Sequence, residues 1–149
     1  MISISDVMTA DHKLCDDLYV NAELYVSKND WDQANNTARK FINCLLFHFQ
    51  HEEETLFPEF ERISGMRHGP TEMMRHEHDQ MRSLIVELEK SLESKNQERY
   101  LGLSETLLIY MQQHNMKEEQ ILYPMIEKEC NENSEQLTKA IRDKSNCTA

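Results

Sequence analysis

The stretch His48–Pro58 reads "HFQHEEETLFP". It sets two histidines and three consecutive glutamates among apolar residues, a mixture that the buried stripe of an ordinary amphipathic helix does not need. At His114–Pro124 the chain reads "HNMKEEQILYP", which repeats the His, Glu, Glu, Leu, aromatic and Pro 66 positions later. The recurrence marks an internal duplication.

Breakers and caps around these two stretches divide the chain into four long helical segments, predicted at about 5–27, 31–62, 71–93 and 97–129. Asn29 or Asp30 followed by Gln33 caps the second, the Gly65–Pro70 stretch breaks the chain, Thr71 with Glu72 opens the third, and Ser94–Asn96 is a weaker polar break. Three glycines and three prolines in 149 residues fit a mostly helical single domain. The expected fold class is all-α, an up-down-up-down four-helix bundle made of two pseudo-symmetric hairpins. Residues 1–130 are expected to form the bundle, and 131–149 a polar C-terminal tail.

The seam positions carry the chemistry. The first segment presents Met8, His12, Cys15, Tyr19, Ala22 and Val26 at alternating spacings of four and three; the second presents Ala34, Ala38, Phe41, Leu45, His48 and Glu52. The third presents Met74, His78, Met81, Ile85, Leu88 and Leu92, and the fourth Tyr100, Ser104, Leu107, Met111, His114, Glu118 and Ile121. The midpoint of positions 12 and 48 is 30, and that of 78 and 114 is 96, both inside predicted turns. Each hairpin therefore brings two histidines to one height, with a glutamate one helical turn away on the same face.

A single histidine in an apolar stripe is more often a hydrogen-bonded core residue than a ligand. Six such groups at one level are different, because buried carboxylates among imidazoles cost several kcal/mol each when uncompensated and no seam position holds Lys or Arg. Bound metal is the economical counter-charge, with His12, His48, Glu52, His78, His114 and Glu118 as the candidate ligands. Imidazole with carboxylate and no thiolate suits iron, manganese or zinc. Two histidines for each metal and two bridging carboxylates describe a binuclear centre that keeps positions open for an oxo or hydroxo bridge and a small ligand. Two iron ions are the expected cofactor, ahead of manganese or zinc.

The remaining features are weaker. His76 should face away from His78, His51 lies on the flank of the stripe, and His68 sits in the Gly-containing connection. Glu53 and Glu119 recur at the same offset, either as solvated neighbours of the ligands or as groups that orient histidines or carry protons. Pro58 and Pro124 should each kink a helix just past the site. Met8, Met74, Met81 and Met111, with Tyr19 and Cys15, read as ordinary core.

A net charge of −11 argues against nucleic-acid or anionic-membrane partners. There is no secretory pattern at the start and no run of membrane-spanning length, so a cytoplasmic setting is expected. Four cysteines without CxxC spacing fit reduced thiols, and a Cys130–Cys147 bridge is unforced.

With His12, the His48–Glu52 pair, His78 within "EHD" and the His114–Glu118 pair in place, nearly the whole chain resembles a hemerythrin-like, or HHE cation-binding, domain. Oxygen-carrying hemerythrins would show a further His four residues after His78, where this chain has Arg82. An acid five residues after His114, as in those carriers, is Glu119; the duplication favours Glu118. The four-His, two-Glu set is instead similar to the Repair of Iron Centers di-iron proteins, as is "GPTEMMRHEHDQM" from Gly69 to Met81. Their cysteine-bearing N-terminal domain is absent from this sequence. The resemblance implies a non-haem di-iron protein that binds or reacts with oxygen, nitric oxide or peroxide, in stress protection or iron-centre repair. An oxygen or redox sensor, or an oxygen carrier without turnover, is the alternative. No catalytic residue is assigned, and the protein partner is open.

Overall fold

The computed structural model describes residues 2–144. Four long helical rods form the bundle. α1 (Ile4–Ser27) and α2 (Trp31–His51) make the first hairpin; α4 (Pro70–Glu93) and α5 (Gln97–Lys117) make the second. The rod of α2 continues through a wide turn, Glu52–Leu56, into α3 (Phe57–Ser64), and that of α5 through Glu118–Leu122 into α6 (Tyr123–Glu129). A single 3-10 turn, Asn131–Asn133, leads to α7 (Ser134–Lys144). α1 packs between α2 and α5, and α2 also meets α4, so the four rods close a square. No described helix is long and apolar enough to cross a membrane.

Local chemistry sets the boundaries. Ser3 and Asp6 form a reciprocal capping box at the start of α1. Asp30, not Asn29, caps α2 by accepting from the Gln33 N–H, because Asn29 is taken up by the turn in a left-handed conformation (φ 57°). The second hairpin repeats this with Asn96 as the cap and Lys95 at φ 52°. α4 opens at Pro70 rather than Thr71, since the missing N–H of proline costs nothing in the first turn.

The two wide turns differ from the kinks expected at Pro58 and Pro124. Each is a π-type turn that starts on the buried glutamate, with the N–H of Phe57 donating to the Glu52 carbonyl and that of Tyr123 to the Glu118 carbonyl. A proline cannot donate to the carbonyl four residues back, and a wider turn just before it absorbs the mismatch. The inserted residue slips the helical register. Ile121, expected on the seam, is 57% exposed, while Leu122 and Tyr123 are buried in its place.

Two apolar clusters flank the polar seam residues. One, near the hairpin turns, holds Tyr19, Val26, Phe41, Leu45, Ile85, Leu92, Tyr100 and Met111 among others. The other, beyond the wide turns, joins Ile4, Met8, Phe57, Phe60, Met74, Tyr123 and Ile126 to Leu137 and Ile141 of α7. Residues 134–144, expected in a polar tail, are therefore a packed helix. Only Leu137 and Ile141 give it an apolar stripe, too thin to stand out in so polar a stretch. Cys147 lies outside the described residues, and with it the Cys130–Cys147 pairing.

Ile141 is fully buried. Ile141→Ala should lower stability by about 2–4 kcal/mol in urea unfolding, through lost burial and the cavity left behind. A loss within ±0.5 kcal/mol, the usual effect of a surface substitution, would show that α7 is not part of the core.

Candidate metal centre

All six candidate ligands converge between the two apolar clusters. Glu52, His78 and Glu118 are fully buried, His48 and His114 are 1% exposed and His12 4%. One ligand atom from each of Glu52, His78, His114 and Glu118 falls within 4.8 Å of the others, and the same holds for His12, His48 and Glu118. Glu118 belongs to both groups.

The ring orientations follow one rule. Each Nε2 points inward: His12 Nε2 is 3.0 Å from His48 Nε2 and 3.1 Å from Glu118 Oε1, His78 Nε2 is 3.0 Å from Glu52 Oε1, and His114 Nε2 is 3.3 Å from Glu118 Oε1. Three of the Nδ1 atoms point outward to carboxylates: His12 to Glu119 at 2.7 Å, His78 to Glu53 at 2.6 Å and His114 to Glu77 at 2.8 Å. Asp11 stands in the equivalent place for His48, at 3.6 Å, beyond hydrogen-bond reach. An ionised carboxylate only accepts, so the three bonded rings hold a proton on Nδ1, which leaves the inward Nε2 as the nitrogen able to ligate. Such an outer carboxylate fixes tautomer and orientation in metal-binding histidines.

Without a cation the chamber is poorly balanced. The inward nitrogens face one another and two carboxylates, while His114 Nε2 and Glu118 Oε2 are buried without a hydrogen-bond partner. No Lys or Arg among the described residues is buried. The two glutamates split in response. Burial and the charge of Glu118 push Glu52 up, whereas for Glu118 burial is outweighed by His114 and by hydrogen bonds from its neighbours, which hold it low. Burial opposes the charge on His114 and His48, yet the carboxylates beside them outweigh it, raising His114 to about 9 and His48 upward as well. Without a metal these two rings therefore hold protons that a bound cation would displace. These donors fit a bound cation: borderline nitrogens and hard oxygens, inward-facing, with orphaned buried polar atoms among them.

Tyr123 was not foreseen. Its hydroxyl is 2.8 Å from Glu52 Oε2, 2.9 Å from Glu118 Oε1 and 3.2 Å from His12 Nε2. In a regular helix it would lie about 140° around from Glu118, and only the wide turn swings it inward. The one available signal was the repeat itself, which has Phe57 in this position. Tyr123 stacks near His12 as Phe57 stacks on His78, so one half of the chamber has a hydroxyl and the other none. Phe49 also stacks on His78, with ring centroids 4.2 Å apart.

The weaker candidates also find places. Glu53 and Glu119 take the orienting role rather than the solvated one. Glu77 and Asp11, which occupy matching positions in the repeat, were missed because each precedes a candidate ligand, His78 and His12, by one residue and reads as a surface acid. His51 is buried against Phe47, and His76 and His68 are exposed. Arg82, standing where carriers would have a further histidine, is committed elsewhere: it holds Glu53 through contacts of 2.7 and 2.9 Å.

A helical bundle with a His/Glu chamber able to hold cations defines the class, and the sequence fixes the family. Residues 3–139 match the hemerythrin HHE cation-binding domain, and the chain belongs to that family. It is 29% identical over 133 residues to an uncharacterized hemerythrin-like protein of Schizosaccharomyces pombe, an alignment that takes in 89% of this chain and 63% of that protein. The chain thus spans less than two thirds of its relative's length. No solved structure gives a significant match.

Burial opposes the charge on Glu53, but hydrogen bonds from His78 and Arg82 override it and hold the carboxyl at about 2, against an ordinary 4.5. Folded Glu53 thus stays ionised where the unfolded chain would take up a proton. Its stabilisation is complete above about pH 4.5 and is lost as pH falls towards about 2. Arg82→Ala should move the Glu53 midpoint up towards 4.5, read by carboxyl-carbon NMR. An unmoved midpoint would mean that Arg82 does not hold this charge.

Proposed function

We propose that the chamber holds two iron ions, with His12 and His48 as terminal ligands to one, His78 and His114 to the other, and Glu52 and Glu118 bridging them. The observation that carries this reading is the common orientation of the rings, Nε2 inward and three Nδ1 atoms held by carboxylates, around two glutamates with no buried Lys or Arg among the described residues to balance them. Iron is preferred because a nitrogen and oxygen donor set that leaves positions open suits redox chemistry with small molecules.

Such a di-iron pair, when bound, supplies electrons and a vacant position for oxygen, nitric oxide or peroxide. The protein's own part is to hold, orient and enclose. Glu119, Glu53 and Glu77 keep the imidazoles in the ligating tautomer, and the two apolar clusters keep bulk water out. Phe49 and Phe57 both stack on His78. Tyr123 supplies a hydroxyl within reach of both bridging carboxylates. Arg82, where the carriers would have a further histidine, cannot ligate a metal and is paired with Glu53, so no fifth imidazole comes from this position, which favours the reactive di-iron type over the oxygen carriers. Protection against nitrosative or oxidative stress, or repair of iron centres, is the physiological role that fits this chemistry.

Protein purified in air should contain about two iron ions per chain and show an oxo-to-iron charge-transfer band. Glu118→Ala, which removes the carboxylate common to both donor groups, should lose at least one of them. A single zinc at full occupancy, or a variant that keeps both irons, would contradict the ligand set. Titration of the reduced protein separates the reactions: reversible oxygen uptake indicates a carrier, and oxidation or nitrosyl formation indicates reaction.

A further inference from the structure

The first hairpin contains a second pair of reactive atoms that the metal reading does not use. Cys15 on α1 and Cys44 on α2 are each 2% exposed, and their sulfurs lie 3.1 Å apart. That is a short approach for two sulfurs that share no bond. The residues are 29 positions apart in sequence, so the contact is made by the packing of one helix on the other. The duplication does not require it, because the matching positions of the second hairpin hold Met81 and Tyr110.

We propose that Cys15 and Cys44 form a distinct redox site, a dithiol that peroxide closes into a disulfide linking α1 to α2. The step balances in two parts. One thiol sulfur attacks peroxide, the O–O bond breaks, and a sulfenic acid and water are formed. The neighbouring thiol then attacks that sulfur, the S–O bond breaks, and a disulfide and a second water result. Two electrons and two protons leave the thiols, and peroxide is reduced to two waters.

Geometry decides which outcome follows the first oxidation. A buried thiol is ordinarily inert, and burial here admits only small oxidants. Once one sulfur is oxidised, its partner is already at near-attack distance, so closure outruns further oxidation to the sulfinic acid. Only about 1 Å of additional approach separates the present contact from a disulfide bond. In a reducing compartment such a bridge is transient and is reopened by small thiol reductants.

Position gives the couple its use. Cys15 is three residues after His12 and Cys44 four before His48, so both sulfurs stand about one helical turn, roughly 5 Å along the axis, from the chamber. Peroxide that leaves the chamber meets a pair of thiols that turns it into water before it can oxidise a ligand. This use rests on the metal reading; formation of the bridge does not.

Peptide mapping under non-reducing conditions tests both parts, with the full chain treated with hydrogen peroxide and free thiols then blocked under denaturing conditions. A peptide pair linked through Cys15 and Cys44, lost after dithiothreitol, is expected in metal-free and iron-loaded protein alike. In Cys15→Ser and in Cys44→Ser the remaining cysteine should instead be trapped by a sulfenic-acid reagent. Unmodified thiols at both positions, sulfinic acid at either in the wild-type chain, or a bridge that instead joins Cys130 or Cys147 would overturn the proposal. Closure in the metal-free chain alone would overturn only its protective use.

Discussion

The structure turns on a charge imbalance. Four imidazole nitrogens and two carboxylates are aimed into one buried space between two apolar clusters, and among the described residues no buried Lys or Arg meets them. Leaving such groups uncompensated costs several kcal/mol each, more than an isolated core of this size could absorb without effect. Tyr123 eases it in part by donating to both carboxylates, and the outer shell sharpens it. The outer glutamates hold the Nδ1 proton, which leaves Nε2 as the inward nitrogen able to ligate, and Arg82 and Lys117 anchor those glutamates at Glu53 and Glu77.

The duplication explains how a short chain builds such a space. Matching turns, with Asn29 and Lys95 in the same left-handed conformation, set the histidines of each hairpin at equal heights. Matching wide turns then carry the glutamates and the residues after them. The repeat is not exact, and its departures carry the individuality of the site. Tyr123 faces Phe57, and Asp16 stands where symmetry with Arg82 would place a cation. The thiol pair Cys15–Cys44 has no counterpart. The two halves of the chamber are alike in ligands and unlike in surroundings.

The positions of the four long helices, their turns and the six converging side chains were legible in the sequence, because seam spacing and turn position are both local properties of a chain with few glycines and prolines. What lay beyond a regular 3.6-residue repeat was not. The wide turns at Glu52 and Glu118 moved Ile121 outward and brought Tyr123 inward, and no pattern of hydrophobic residues reveals an inserted residue before the coordinates do. α7 was missed for a different reason: Leu137 and Ile141 bury against residues as distant as Ile4, and a two-residue stripe acquires meaning only when its partner surface is known. The 3.1 Å contact of Cys15 with Cys44 likewise depends on helix rotation, which the sequence does not specify to that precision.

On the proposed reading a pair of iron ions answers the imbalance, and X-ray absorption fine structure at the iron edge of the loaded protein examines that most directly. Each iron should have about two imidazoles, with carboxylate oxygens completing the shell and a second iron at about 3.5–4 Å or closer if a single oxygen also bridges. Isolated iron with no metal neighbour, or a shell without imidazole, would mean that the six side chains converge for some other purpose.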